Sequence, residues 1–280
     1  MINITDFKGK IKAVFLDIDG TLLNSSREVT ARTKNAIKSA NERGIYTVVC
    51  SGRSRFYAVN FSKDIGASHF VISSNGADIY DYKNDRTIYS ANFDKQLLNQ
   101  ILQIAFDNNI GFVLNSLNDC YKYKTDKHDD FFITSNVFKT KEEILKFTSM
   151  NTVSQIVIKS DDYNNMRRAV EQVKSIAGLR LANMSRFLRD NIQTDSHIVF
   201  CDITLAEDTK GSALSKLLDY LNLYKEQSAA FGDELNDLAM LERAHIAIAM
   251  GNSIDAVKEA ADFVTDTNDN DGVALVLEQL

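Results

Sequence analysis

Short apolar runs rich in β-branched and aromatic residues alternate with amphipathic helical stretches at both ends of this chain, and that alternation restricts the fold more than any other feature. From the N-terminus the runs are Ile11–Asp17, Tyr46–Cys50 and Phe70–Ser73; toward the C-terminus they are Ala229–Phe231, His245–Met250 and a short Phe263–Thr265. Between them Thr30 is placed to cap a helix that ends at Gly44. A helix from Lys210 carries Ala213, Leu214, Leu217, Leu218 and Leu221 on one stripe, and Leu235–Ala244 makes a third. Strands and helices in this order predict an α/β fold with a doubly wound parallel-sheet (Rossmann-like) core.

The middle of the chain follows a different pattern. After Asn75-Gly76, Ala77–Ala91 reads as a hairpin turned at Lys83-Asn84-Asp85. A long helix over Lys95–Asn108 follows, then strands near Phe112 and Tyr121, a helix near Lys141–Phe147, the strand Val153–Lys159, and a helix from Asp161 to Ala177 closed by Gly178. Meandering strands with a few helices predict an α+β domain inserted into the core. The expected partition is a doubly wound core of 1–82 and 191–280 and an inserted domain of 83–190, both within ordinary domain size.

Composition removes several classes of function. A net charge of −6, from 32 basic and 38 acidic residues, argues against nucleic acid or an anionic membrane as the main partner, since both need clustered Lys and Arg. Cys50, Cys120 and Cys201 stand in no metal-binding or disulfide spacing, and the four histidines His69, His128, His197 and His245 share no metal spacing. No apolar run reaches the length of a membrane span, and the N-terminus lacks the apolar stretch of a signal peptide, so a cytoplasmic protein is expected. The chain has no proline and only 12 glycines, so its turns depend on few flexible positions and those positions are informative.

Four loops carry chemistry. Asp17-Ile18-Asp19-Gly20-Thr21 follows an apolar strand directly, at the place where open α/β sheets bind ligands. Carboxylates spaced by two in an extended segment point to one side, and Gly20 lets the chain turn beyond them. A calcium loop does not fit, because no Glu stands at its twelfth position and a strand precedes it where a helix is required. Gly232-Asp233-Glu234-Leu235-Asn236-Asp237 also follows an apolar run and opens a helix, with Asp233 at the capping position. Taken alone it reads equally as a helix cap; paired with Asp17 at the end of an adjacent strand, Asp233 offers the one or two carboxylates that Mg²⁺ takes from protein. In Thr209-Lys210-Gly211-Ser212 the lysine sits against the helix dipole, a placement that an anionic ligand would explain; the plain alternative is a solvated surface lysine. Ser51-Gly52-Arg53 offers a hydroxyl and backbone N–H groups that suit phosphate oxygens, and is equally a common turn.

In this order the four loops resemble the four motifs of the haloacid dehalogenase superfamily of phosphatases. Asn75-Gly76-Ala77, Ala249-Met250-Gly251-Asn252 and Asn270-Asp271-Gly272-Val273-Ala274 resemble its Cof-like subfamily, which carries a large α+β cap between the second and third motifs. The resemblance covers essentially the whole chain and implies a role for each matching residue. Asp17 would be the nucleophile that forms an aspartyl-phosphate, and Asp19 would protonate the leaving alcohol and then activate water. Mg²⁺ would be held by the carboxylates of Asp17 and Asp233 and the backbone carbonyl of Asp19. Ile18, Ser51, Gly52, Lys210 and Asn236 would bind the phosphoryl oxygens, and Asp237 would orient Lys210 or the waters of the metal. Ser51 replaces the frequent Thr of the second motif and keeps its hydroxyl. The family's usual prolines are replaced by residues such as Ser54 and the stretch Leu205-Ala206-Glu207-Asp208, and Ser253 stands where Ala is common.

The implied activity is Mg²⁺-dependent hydrolysis of a small phosphorylated metabolite, a sugar phosphate or similar phosphomonoester. A phosphoryl transferase or mutase using the same nucleophile, or a non-catalytic phosphate-binding or receiver-like module, are the alternatives; Asp19 speaks against the last, since a pure acceptor needs no acid/base group. In the inserted domain Tyr121, Tyr123, Lys124, His128, Phe131 and Phe132 form an aromatic and charged stretch that could face substrate but more often makes a small core with a polar edge.

Overall fold

The computed structural model describes residues 3–117, 119–124, 136–192 and 198–280. The N-terminal part contains β1 (Ala13–Leu16), α1 (Ala31–Glu42), β2 (Tyr46–Cys50), α2 (Arg55–Ile65), β3 (Phe70–Ser73), β4 (Asp78–Asp81) and β5 (Arg86–Ser90). There follow α3 (Lys95–Asp107), β6 (Gly111–Ser116), β7 (Cys120–Tyr123), β8 (Asn136–Val137), α4 (Lys141–Met150), β9 (Val153–Ser160), α5 (Tyr163–Lys174), β10 (Leu179–Met184), α6 (Arg186–Arg189) and β11 (Val199–Leu205). The C-terminal part contains α7 (Lys210–Tyr220), β12 (Ser228–Gly232), α8 (Leu238–Arg243), β13 (Ile246–Ala249), α9 (Asp255–Ala260), β14 (Phe263–Val264) and α10 (Gly272–Leu277). Contacts divide the chain into two units, one of Met1–Arg53, Tyr57–Tyr89 and Thr209–Leu280, the other of Ser54–Phe56 and Ser90–Asp208.

The first unit holds an eight-stranded sheet in the order β14-β13-β12-β1-β2-β3-β4-β5. Strands from β14 through β3 run parallel and β4 returns antiparallel beside β3. Strand period sends alternate residues to opposite faces. Val14 and Leu16 of β1 join Ile37 of α1 and Leu277 of α10 in one core, while Ala13 and Phe15 join Leu214 of α7 and Met240 of α8 in another. The sheet is therefore doubly wound, as its near-continuous apolar strands require when both faces are covered. Each fully buried aliphatic or Phe side chain in such a core contributes about 1.5–3 kcal/mol. Thr30 caps α1, accepting from the Thr33 N–H, and Gly44 follows its end with φ +80°.

The second unit is a six-stranded sheet in the order β10-β11-β9-β6-β7-β8, antiparallel except for the short β7–β8 pair. Phe112, Leu114, Ile156, Ile158 and Ile203 on one face pack against Ile101 and Leu102 of α3 and Met166 and Val170 of α5. Tyr121 and Tyr123 lie on this packed side, Tyr121 against Phe138 and Phe147 and Tyr123 against Phe112. His128, Phe131, Phe132 and His197 lie outside the described residues. β5 extends the first sheet past residue 82, and β11 extends the second past residue 190. Among the described residues no helix is long and apolar enough to cross a membrane.

Candidate active site

The parallel register brings the ends of β1 and β12 side by side, with Leu16 opposite Phe231, so that Asp17 and Asp233 emerge from neighbouring strands. The Asp17 N–H donates to the Phe231 carbonyl at 3.3 Å and keeps the ladder intact up to the site. Gly20 turns the chain back with φ +84°, and Thr21 returns to donate its hydroxyl to Asp233 Oδ1 at 2.8 Å. Lys210 begins α7, whose start is fixed by a reciprocal cap between Thr209 and Ser212. One expectation needs correcting. Asp233 does not cap the following helical segment; Glu234 accepts from the Leu235 N–H, because the chain first makes a tight 3₁₀ turn over Leu235–Asp237.

Lys210 has no solvent exposure at all. Its Nζ donates to Asp17 Oδ1 at 2.5 Å and to Asp237 Oδ1 at 2.6 Å. The other oxygen of Asp237 accepts from the backbone N–H groups of Asp233 at 2.9 Å and Glu234 at 3.1 Å. Asp17, Asp233 and Asp237 each place a carboxylate oxygen within 4.8 Å of the others. Asp17 and Asp237 thus share one ammonium, with the Asp233 carboxylate beside them. Burial holds the Asp17 carboxyl well above the usual carboxylate range, and the nearby Asp237, Asp233 and Asp19 add to this against the opposing pull of Lys210. Burial, reinforced by Asp237, pushes Asp233 up to about 7. Burial alone would depress Lys210, but Asp17 and Asp237 outweigh it and hold the ammonium above its usual range. An all-oxygen donor set with an uncompensated negative charge fits a hard divalent cation.

Asp19 does not join this cluster. Its carboxylate forms a two-point pair with Arg53, Nη2 to Oδ1 at 2.7 Å and Nε to Oδ2 at 3.0 Å, and is about half exposed. The Arg53 guanidinium also lies 4.7 Å from the centre of the Tyr57 ring. Ile18 buries its side chain in the core, and its carbonyl accepts from Leu22 and Leu23, closing the turn after the motif. Ser51 is buried at the end of β2, with its hydroxyl accepting from the Arg53 N–H at 3.2 Å. Asn236 turns its Nδ2 to Asn75 Oδ1 at 3.1 Å. The structure thus gathers Asp17, Lys210, Asp233 and Asp237 into direct contact or near contact. It adds three residues to which the sequence assigned no role: Thr21, Arg53 and Asn75. Each lies inside or one residue beside a string already singled out, so position was the available signal; the partner it meets depends on the fold.

The sequence profile of the haloacid dehalogenase-like hydrolases matches residues 14–277, and the chain belongs to that family. Within it the chain is a phosphatase. It is similar to a 5-amino-6-(5-phospho-D-ribitylamino)uracil phosphatase of Bacillus subtilis, 30% identical over 272 residues that cover 94% of this chain and 93% of the relative. A second phosphatase of that organism is 30% identical over 288 residues, covering 96% of this chain and all of the relative. Among solved structures, a haloacid dehalogenase-like hydrolase from B. subtilis superposes with a TM-score of 0.79 at 26% identity, covering 96% of this chain and 100% of that one.

Proposed function

We propose that the protein is a Mg²⁺-dependent phosphomonoesterase that hydrolyses a small phosphorylated metabolite through a phosphoryl group carried on Asp17. The reading rests on one observation: a wholly buried Lys210 held between Asp17 and Asp237, with Asp233 in the same carboxylate cluster. A dianionic phosphate enters such a site only with compensating charge. Asp17, Asp233 and the Asp19 carbonyl would hold Mg²⁺, which supplies positive charge beside the phosphoryl group when bound.

The chain's own groups divide the reaction between two carboxylates. An Asp17 oxygen attacks phosphorus, the bond from phosphorus to the leaving oxygen breaks, and that oxygen takes a proton delivered through Asp19. Asp19, now ionised, accepts a proton from water as the water oxygen attacks phosphorus. The bond from phosphorus to Asp17 then breaks, which releases inorganic phosphate and restores both side chains. Lys210 favours the ionised form of Asp17 and opposes the burial that raises its carboxyl. Lys210, Ser51, the backbone N–H groups of Ile18 and Gly52, and Asn236 bind the phosphoryl oxygens. The inserted unit contributes none of these groups, and we assign to it the choice of leaving group, the role of a cap. Three free, buried thiols support a reducing cytoplasmic setting.

A panel of phosphate monoesters tests the reading. Sugar phosphates and the ribitylamino-uracil phosphate named for the relative head that panel. Hydrolysis is expected to vanish with a metal chelator, return with Mg²⁺, and fall by about 10³-fold or more in Asp17→Asn. Acid-quenched enzyme should carry one added phosphoryl group in its intact mass, absent from Asp17→Asn. Unchanged turnover in that variant sinks the mechanism, and transfer to an added sugar faster than to water favours a phosphoryl transferase.

A further inference from the structure

We propose that Asn75 is a positioning residue: its side-chain oxygen sets the orientation of the Asn236 amide so that Asn236 presents a hydrogen, and not its oxygen, to a phosphoryl group. The proposal rests on the reading of Asn236 as a phosphate ligand.

Three observations carry it. Asn75 is completely buried, and its Oδ1 accepts from Asn236 Nδ2 at 3.1 Å. An amide nitrogen has two hydrogens, about 120° apart; with one committed to Asn75, the other has a fixed direction. Without that acceptor the planar group can rotate and turn its carbonyl oxygen toward an anion, which reverses attraction into repulsion. Second, the backbone that delivers Asn75 is held in an uncommon shape. Ser74, Asn75 and Gly76 are three consecutive residues with positive φ, at +52°, +56° and +97°. The left-handed region costs an ordinary residue about 1–2 kcal/mol, and Asn is among those that tolerate it best. Such a turn persists only where its surroundings fix it, and such turns concentrate at functional sites. Here the Asn75 N–H donates to the Ser51 carbonyl at 3.0 Å and the Ser74 N–H to the Arg53 carbonyl at 2.8 Å. Third, the turn fills the space between the loops. A Cβ on Gly52 would lie 2.9 Å from Asn75 Nδ2, and one on Gly76 would lie 2.1 Å from the Thr209 carbonyl oxygen. One buried turn therefore touches the Ser51–Arg53 loop, the start of the Lys210 helix and Asn236.

The test is a double-substitution cycle read by the inhibition constant of inorganic phosphate and by kcat/KM on a synthetic aryl phosphate. Asn75→Gly removes the amide and keeps the left-handed backbone accessible. It is expected to weaken phosphate binding about tenfold, the size of losing one oriented hydrogen bond to a charged group. In the Asn236→Ala background the same substitution should have almost no further effect, because Asn75 would act only through Asn236. Independent, multiplying losses in the two backgrounds overturn the proposal, as does an Asn75→Gly enzyme that binds phosphate like the parent. If Asn236→Ala alone leaves phosphate binding unchanged, both the ligand role of Asn236 and the proposal fall; a loss in Asn236→Ala with a silent Asn75→Gly removes only the proposal. Should Asn75→Gly lose its cooperative melting transition, Asn75→Ser repeats the cycle, since serine already occupies the left-handed position next to it.

Discussion

At the scale of single residues, the site shows a lysine made tolerable only by its partners. A buried ammonium without a counter-charge is strongly unfavourable, and Lys210 is stable at zero exposure because Asp17 and Asp237 both accept from it. Lys210→Met is therefore expected to destabilise by about 3–5 kcal/mol at neutral pH, since it leaves two buried carboxylates facing each other, and to lower kcat/KM by at least about 10²-fold. Urea unfolding and steady-state kinetics check the two parts separately; a variant as stable as the parent would contradict the ion-pair assignment. The sequence already marked this lysine, because a positive charge at a helix start is locally unfavourable and asks for an anion. Its burial could not be read, since the helix stripe of Ala213, Leu214 and Leu217 says where the core lies and not that Lys210 points along the strand ends. Thr21, Arg53 and Asn75 were less legible for a related reason. Each acquires its role from a partner 34 to 212 positions away, Arg53 from Asp19 and Thr21 from Asp233, and sequence spacing carries no information across such separations.

At the scale of elements, strands with continuous apolar runs were read to within a residue or two, as with Tyr46–Cys50 and Phe70–Ser73. Elements whose pattern is mixed were missed. β11 alternates Val199, Cys201 and Ile203 on the packed face with Phe200, Asp202 and Thr204 on the other, so the acidic residue interrupts the run. α2 carries Phe56, Tyr57, Val59 and Phe61, aromatic and β-branched residues with weak helix preference, and tertiary packing decides its state. Packing also inverts a propensity rule in α7. Replacing Gly by Ala inside a helix ordinarily stabilises by about 1 kcal/mol. At Gly211 a Cβ would lie 1.9 Å from the Ala239 carbonyl oxygen of α8, so the two helix backbones meet there without room for a methyl group. Gly211→Ala is expected to lower stability by about 1–3 kcal/mol, with the start of α7 and Lys210 displaced. A raised urea midpoint in this variant would show that the helices can separate at no cost.

At the scale of the whole molecule, alternation at the two ends of the chain made the doubly wound sheet legible, because apolar strands covered on both faces admit few other arrangements. The same reading made legible that Asp17 and Asp233 stand at neighbouring strand ends; the register of β1 with β12 supplies the detail. That arrangement concentrates buried negative charge in the first unit, with a consequence for its stability. Asp233 is held up to about 7, against 3.8 for an ordinary aspartate, and Asp17 is displaced in the same direction. A carboxyl raised in the folded state binds its proton more tightly there than in the unfolded chain. Its contribution to stability is complete below 3.8 and is lost as pH rises through about 7. Glu142, Glu171, Asp266 and Glu278 lie below their usual values, so they weaken the fold only in acid, and His69, lowered by burial, opposes the raised carboxyls only toward the lower end of the neutral range. Between about pH 6 and about pH 8.5 the raised pair governs, and the metal-free protein should melt at a higher temperature at the lower pH. A divalent cation reverses the order of cost: it binds best when both carboxylates are ionised, so added Mg²⁺ should raise the melting temperature most at the higher pH and release protons into a weak buffer. Asp233→Asn separates this from a general effect of pH, because an amide oxygen can still accept from Thr21 while the buried charge is gone. The variant, metal-free, should melt above the parent at about pH 8.5, show a flatter pH profile, and lose most of the Mg²⁺-dependent rise. A variant that melts below the parent at that pH would mean that the Asp233 charge stabilises the fold, contrary to the electrostatics of the site.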